Sequence, residues 1–245
     1  MHQFFTDPSQ IGETEITLTG TDVNHIRNVL RMRVGEEILV SDGQGRGYHC
    51  KLEEISEERV RAAILWVLDG NAELPSSITL FQGLPKGDKM ELIIQKCVEL
   101  GAARIVPVNT RRTVVKLDAK KEQSRIKRWM GISESAAKQS GRGRIPEVTG
   151  VMSFAQALEE AKRLDVCLIP YELAENMAHT REVLSSIRPG VSVGIFIGPE
   201  GGFERTEVEQ AMEAGAEVIT LGRRILRTET AGMAVLSMLA YLLEE

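Results

Sequence analysis

Cysteine is scarce in this chain: Cys50, Cys97 and Cys167 stand far apart, and no CxxC occurs. An odd, scattered set supports neither a disulfide framework nor a zinc site. Each is therefore expected to be a small buried hydrophobe. Long apolar runs are missing as well, and none approaches the length of a membrane span. The first ten residues carry Asp7 and no basic stretch, unlike a signal peptide. A cytoplasmic protein with no membrane association is expected. No cluster of His, Cys and Asp is visible, so no metal is expected. No GK[ST] completes a Walker loop, and no GxGxxG marks a dinucleotide fold. Internal repeats and low-complexity segments are also absent.

What is present is 245 residues, enough for one large domain or two small ones. The net charge of −5 argues against a polyanionic partner, but its distribution argues for one. Between residues 104 and 144 twelve lysines and arginines face only Asp118, Glu122 and Glu134. That segment reads either as an electrostatic footprint for a polyanion or as a solvated helix face.

Residues 16–18, 37–41, 48–55 and 59–68 read as short strands, with a glycine-rich turn at 42–47. Thr21 reads as the N-cap of a short helix carrying Val23, Ile26 and Leu30 on one face. A small barrel is expected. The turn-rich stretch DGNAELPSS (69–77) sets the expected boundary, giving domains 1–72 and 73–245.

Beyond it strands and helices alternate. Strands are expected at 78–83, 104–108, 113–116, 147–149, 166–170, 191–197 and 217–221. Helices are expected at 89–100, 119–139, 153–163, 175–186, 204–214 and 228–243. The alternation predicts an α/β fold with a mainly parallel sheet. In the last helix Ala231, Ala234, Val235, Met238, Leu239 and Leu242 form one stripe. Its other faces carry Gly232, Met233, Leu236, Ala240 and Leu243, so it is apolar nearly all round. Such a helix is buried on more than one side, and a homodimer interface is one way to achieve that.

Three strand ends carry the chemistry. Strand 191–197 runs into Gly198-Pro199-Glu200-Gly201-Gly202-Phe203, either a ligand loop or a tight strand-to-helix turn. Strand 217–221 runs into LGRRILRTET (221–230), with three arginines in five residues and Glu229 in the first helical turn. This reads as a functional loop or as a solvated basic one. The third strand end is LIPYEL (168–173), weak by itself.

Together, IGPEGGF (197–203) and LGRRILRTETA (221–231) resemble the SPOUT class of methyltransferases. HIRNVLRMRVGEEI (25–38), KGDKMELIIQKCVELG (86–101) and KQSGRGRIPEV (138–148) extend the resemblance over essentially the whole chain. They point to the RsmE-type family, which methylates N3 of a uridine in 16S (small-subunit) ribosomal RNA using S-adenosylmethionine. The resemblance implies a knotted SPOUT-type α/β domain preceded by a small PUA-like RNA-docking β-barrel. It also implies a trefoil knot built by the last elements, and a homodimer. Carried over by position, the cofactor pocket would involve Leu173, Ile197, Gly198, Glu200, Gly201, Leu221, Ile225 and Leu226. RNA, free or within the small ribosomal subunit, would be met by His25, Arg27, Arg31, Lys86, Gln139 and Arg142.

N3 of uridine carries a proton that must leave before or during transfer. A base can take it, or the developing anion can be stabilised. Glu229 or Glu200 is the expected base, and Arg227 or Arg142 the expected anion partner; Glu229 could equally serve only as a helix-start residue. Competing readings are a SPOUT enzyme acting on transfer RNA or a ribose hydroxyl, a non-catalytic RNA-binding assembly factor, and a Rossmann-type oxidoreductase.

Overall fold

In the computed structural model the described residues are 1–68, 72–174 and 176–244. The start of the expected linker at 69–71 and the start of the expected helix at Glu175 lie outside them. The chain forms two compact units, residues 1–73 with 137–145, and residues 74–136 with 146–245.

In the first unit, short strands of alternating burial make a half-barrel. They are β1 (His2–Phe5), β2 (Glu15–Thr19), β3 (Glu37–Ser41), β4 (Gly47–Ile55) and β5 (Arg59–Leu68). The order is β1-β3-β4-β5-β2, with β1 parallel to β3 and the other pairs antiparallel. Ile16, Leu18, Ile38, Val40, Leu52 and Val60 point to one side and are buried. Register shifts in the β4–β5 pairing bend the sheet around that core. Val23 and Ile26 cover it from α1 (Thr21–Asn24) and the π turn His25–Val29 that continues it. Thr21 is the first helical residue and not the cap. Gly20, at φ 70°, precedes it and no side chain caps the start. β1 was not expected, because four residues paired to a distant strand leave no local period to read.

The second unit is a parallel sheet with helices on both faces. Its strands are β6 (Ser77–Gly83), β7 (Ala102–Asn109), β8 (Glu147–Val148), β9 (Met152–Ser153), β10 (Val166–Pro170), β11 (Ser192–Ile197) and β12 (Glu217–Ile219). The order is β12-β10-β11-β6-β7-β8, and β9 also pairs with β7. Its helices are α2 (Lys89–Glu99), α3 (Ala119–Ser140) as far as residue 136, α4 (Phe154–Ala161), α5 (Met177–Ser186), α6 (Arg205–Glu213) and α7 (Thr228–Leu243). Central strands covered on both sides are predominantly apolar, as in SVGIFI of β11. On one face Phe81 and Phe196 stack with ring centroids 4.5 Å apart. Phe154 from α4 and Phe203 complete that cluster. On the other face α2 and α7 lie over Leu80 and Ile197. There a Cβ on Gly232 would make ordinary van der Waals contact with Cys97, Leu80 and Ile197 at 3.6–3.8 Å.

Residues 113–116 join no strand. Thr113 instead closes a turn on Thr110, its amide donating to the Thr110 carbonyl at 3.1 Å, and its Oγ1 accepting from the Thr110 amide at 3.0 Å. In α7 the buried residues are Thr228, Gly232, Val235, Leu236, Leu239 and Leu243, which share Val235 and Leu239 with the stripe read from the sequence. With apolar residues nearly all round, periodicity could not single out the inward face. All three cysteines are buried, and burial pushes their thiols up to about 12. No described helix is long and apolar enough to cross a membrane.

Candidate active site

The carboxyl ends of β10, β11 and β12 open into one cavity of about 790 Å³. Parallel strands place their ligands there. Its walls come from the loops following these strands, with the start of α7 beside them. Eight residues singled out from the sequence line it together: Ile197, Gly198, Glu200, Leu221, Ile225, Leu226, Arg227 and Glu229. Leu173 and Gly201 do not line it. Leu173 is 70% exposed. The Gly201 carbonyl faces Arg112, accepting from Nη1 at 2.7 Å.

Two carboxylates in the wall have different surroundings. Burial alone would raise the Glu200 carboxyl. Hydrogen bonds from Lys89 Nζ (2.9 Å) and the amides of Glu200 and Lys86 outweigh it and hold the group below the usual range. Glu200 is thus a firmly ionised, weakly basic anchor for α2. Glu229 sits in the first turn of α7, 3.8 Å from Lys89. Its Oε2 is buried without a hydrogen-bond donor. A buried acceptor left open in a cavity wall suits the N–H of a bound molecule.

The cavity fits a nucleoside. Ile197, Leu221 and Leu226 supply apolar walls. Gly198 supplies bare backbone, packed so that a Cβ would lie 3.0 Å from Gly202. Close approach is enforced from below too: a Cβ on Gly83 would lie 2.6 Å from Cδ and N of Pro199. Gly83→Ala should therefore cost about 1–3 kcal/mol through overpacking. Urea unfolding measures it, and an unchanged midpoint would mean that the 198–203 loop yields freely.

The remaining sequence candidates lie elsewhere. His25, Arg27 and Arg31 are exposed on the first unit, on and just after the π turn. Arg31 ends that turn at φ 54°, a conformation costly for a side-chain-bearing residue. Arg27 pairs with Glu57 at 2.9 Å. Gln139 is exposed in the segment 137–145 of the same unit, whereas Arg142 is 2% exposed and bound to Glu73. Lys86 is exposed in the second unit, and its amide donates to Glu200 at 3.0 Å. Of the twelve basic residues between 104 and 144, Arg104, Arg111, Lys121, Arg128, Lys138 and Arg142 face carboxylates. The electrostatic footprint is accordingly smaller than the charge count. Among the described residues no group of His, Cys, Asp and Glu could hold a metal ion.

Sequence reasoning missed Lys89, Thr228 and Gln82. Gln82 was hidden because β6 also carries Ser77 and Thr79 and because its partner, Thr228, is remote in sequence.

Residues 72–240 match the RNA methyltransferase domain family, and residues 18–65 match the RNA methyltransferase PUA domain. Ribosomal RNA small subunit methyltransferase E of Bacillus subtilis is 39% identical, over 98% of this chain and 96% of that protein. The protein of that name from Synechocystis is 32% identical over 97% and 76%. A crystal structure of ribosomal RNA small subunit methyltransferase E from Neisseria gonorrhoeae, bound to S-adenosyl methionine, superposes with a TM-score of 0.84. It is 33% identical and covers 99% of this chain and 98% of that one. The parallel-sheet unit thus has counterparts of SPOUT type and the half-barrel counterparts of PUA type, and the chain belongs to the RNA methyltransferase family that includes the ribosomal RNA small subunit methyltransferases E.

Proposed function

We propose that this chain methylates N3 of a uridine in 16S ribosomal RNA, with S-adenosylmethionine as donor and the small ribosomal subunit in the cytoplasm as substrate. The observation that carries the reading is the strand-end cavity with the open Glu229 oxygen in its wall. Ile197, Leu221, Ile225 and Leu226 hold the adenosine, Gly198 gives it backbone contact, and Leu173 and Gly201 flank it. The cofactor, when bound, supplies a methyl group on a cationic sulfur. Glu229 Oε2 accepts the N3 proton as the nitrogen becomes nucleophilic. The Arg227 guanidinium stabilises the negative charge that spreads to the uracil oxygens. Glu200, tied to Lys89 and Lys86, positions the loop and is held below the usual carboxylate range, which makes it a weak base. His25, Arg27, Arg31, Lys86 and Gln139 meet RNA phosphates, which orient the substrate without reading its sequence.

The strand-end loops form a trefoil knot in this reading, and two copies pair through α7. Support for pairing comes from the side of α7 turned away from the sheet, where Tyr241 is 84% and Leu242 42% exposed. Leu242→Arg should convert a dimer to a monomer in light scattering. An unaltered mass would remove α7 from the interface.

The test of function is label transfer. Protein, methyl-labelled S-adenosylmethionine and small subunits lacking the modification are incubated, and the RNA is digested to nucleosides. Labelled 3-methyluridine is the expected product. Another methylated nucleoside would move the chain to a different substrate, and no label without cofactor binding would end the enzymatic reading.

A further inference from the structure

Gln82 is the one fully buried amide side chain among the described residues, set in β6. Its Nε2 donates to the Gly83 carbonyl at 3.0 Å and to Thr228 Oγ1 at 2.9 Å. The Thr228 hydroxyl, its oxygen accepting from Gln82, donates in turn to the Gly198 carbonyl at 2.6 Å. The polarity of this relay is fixed. Turning the Gln82 amide over would set its oxygen against the Gly83 carbonyl, and the single Thr228 hydrogen is already committed. The relay joins three segments remote in sequence: the end of β6, the first residue of α7 and the loop after β11. It converges with the tight Gly83–Pro199 contact on the same two residues, Gly198 and Pro199.

We propose that Gln82 and Thr228 are positioning residues that set the 198–203 loop for its ligand. Both Gln82 amide hydrogens are engaged, while its Oε1 is buried without a donor, and a buried relay of this kind specifies one arrangement where apolar packing allows several. Thr228 also lies between Arg227 and Glu229, so the same hydroxyl fixes the start of the helix carrying both. The inference rests on the cavity being the S-adenosylmethionine site.

Thr228→Val keeps the shape and removes the hydroxyl, and Thr228→Ser keeps the hydroxyl. Calorimetric titration with S-adenosylmethionine should show Kd at least tenfold weaker for the valine variant, and within about twofold of wild type for serine. In ligand-free protein, amide hydrogen exchange at 198–203 should quicken with valine alone. Gln82→Met, close in size and without donors, should follow valine, and it decides the matter if the valine variant does not fold. Wild-type Kd and exchange in the valine variant, with only Tm lowered, would overturn the proposal. Equal losses in serine and valine would overturn it too, since the hydroxyl would not be the cause. Wild-type protein that binds no S-adenosylmethionine would sink the cofactor reading, while the exchange comparison would still judge the latch.

Discussion

Glu229→Gln should lower kcat at saturating RNA and cofactor by about 10²–10⁴-fold, the range for removing a general base. The substitution keeps size and hydrogen-bonding reach but removes the capacity to take a proton. Because Glu229 lies at the cavity wall beside Arg227, and not among its aliphatic contacts, the cofactor Kd should move only a few-fold. Glu200→Gln should behave differently. Its carboxylate is bound by Lys89 and by the Lys86 amide, so losing charge there loosens the loop and raises Kd more than it lowers kcat. Arg227→Ala should resemble Glu229→Gln, with a kcat loss of about 10²–10³-fold. Single-turnover methyl transfer under saturating conditions separates these cases. Normal turnover in the Glu229 variant would leave the proton to another acceptor, and normal turnover in the Arg227 variant would remove its anion-stabilising role.

The strand ends were legible from local chain chemistry, and the resemblance named the residues at them. An apolar run such as SVGIFI, bounded by turn signals, reads as a strand covered on both faces, and the glycines after it leave a ligand loop and a tight turn equally open. Eight residues at two such strand ends share one cavity wall. Arg142 was not legible in the same way. An arginine between two glycines reads as exposed and basic, and only a distant carboxylate in the folded chain turns it inward. The same limit hid Gln82, whose partner lies 146 residues away. It also hid β1, and the pairing of six basic residues that look like a footprint when charges are merely counted. Periodicity reports which face of an element is apolar. It does not report which polar groups from elsewhere arrive to meet it.

The largest effect on stability is expected at Glu73. Arg142 is 2% exposed, its Nε donating to Glu73 Oε2 at 3.1 Å and Nη2 to the same carboxylate. Glu73 Oε1 also accepts the Arg144 amide at 3.1 Å. The segment 137–145 is stitched to the half-barrel by further bonds: Gln3 Nε2 to the Arg142 carbonyl at 2.6 Å, and Ser41 Oγ to the Gly143 carbonyl at 2.7 Å. Glu73→Ala would take from a buried guanidinium the carboxylate that its Nε and Nη2 bind, at a cost of about 3–5 kcal/mol. Arg142→Ala should cost a similar amount, and the two together less than the sum, because both changes break the same ion pair. Replacing both by methionine should recover much of the loss, since a buried ion pair exchanged for apolar groups of similar volume is often near neutral. Urea unfolding of the four variants measures the cycle, and turnover on small subunits measures function beside it. A double methionine variant that is stable and active would establish Arg142 as an anchor of its own unit. The same variant stable but inactive, with the cofactor still bound, would return Arg142 to the reacting uridine and take the anion-stabilising role from Arg227 alone.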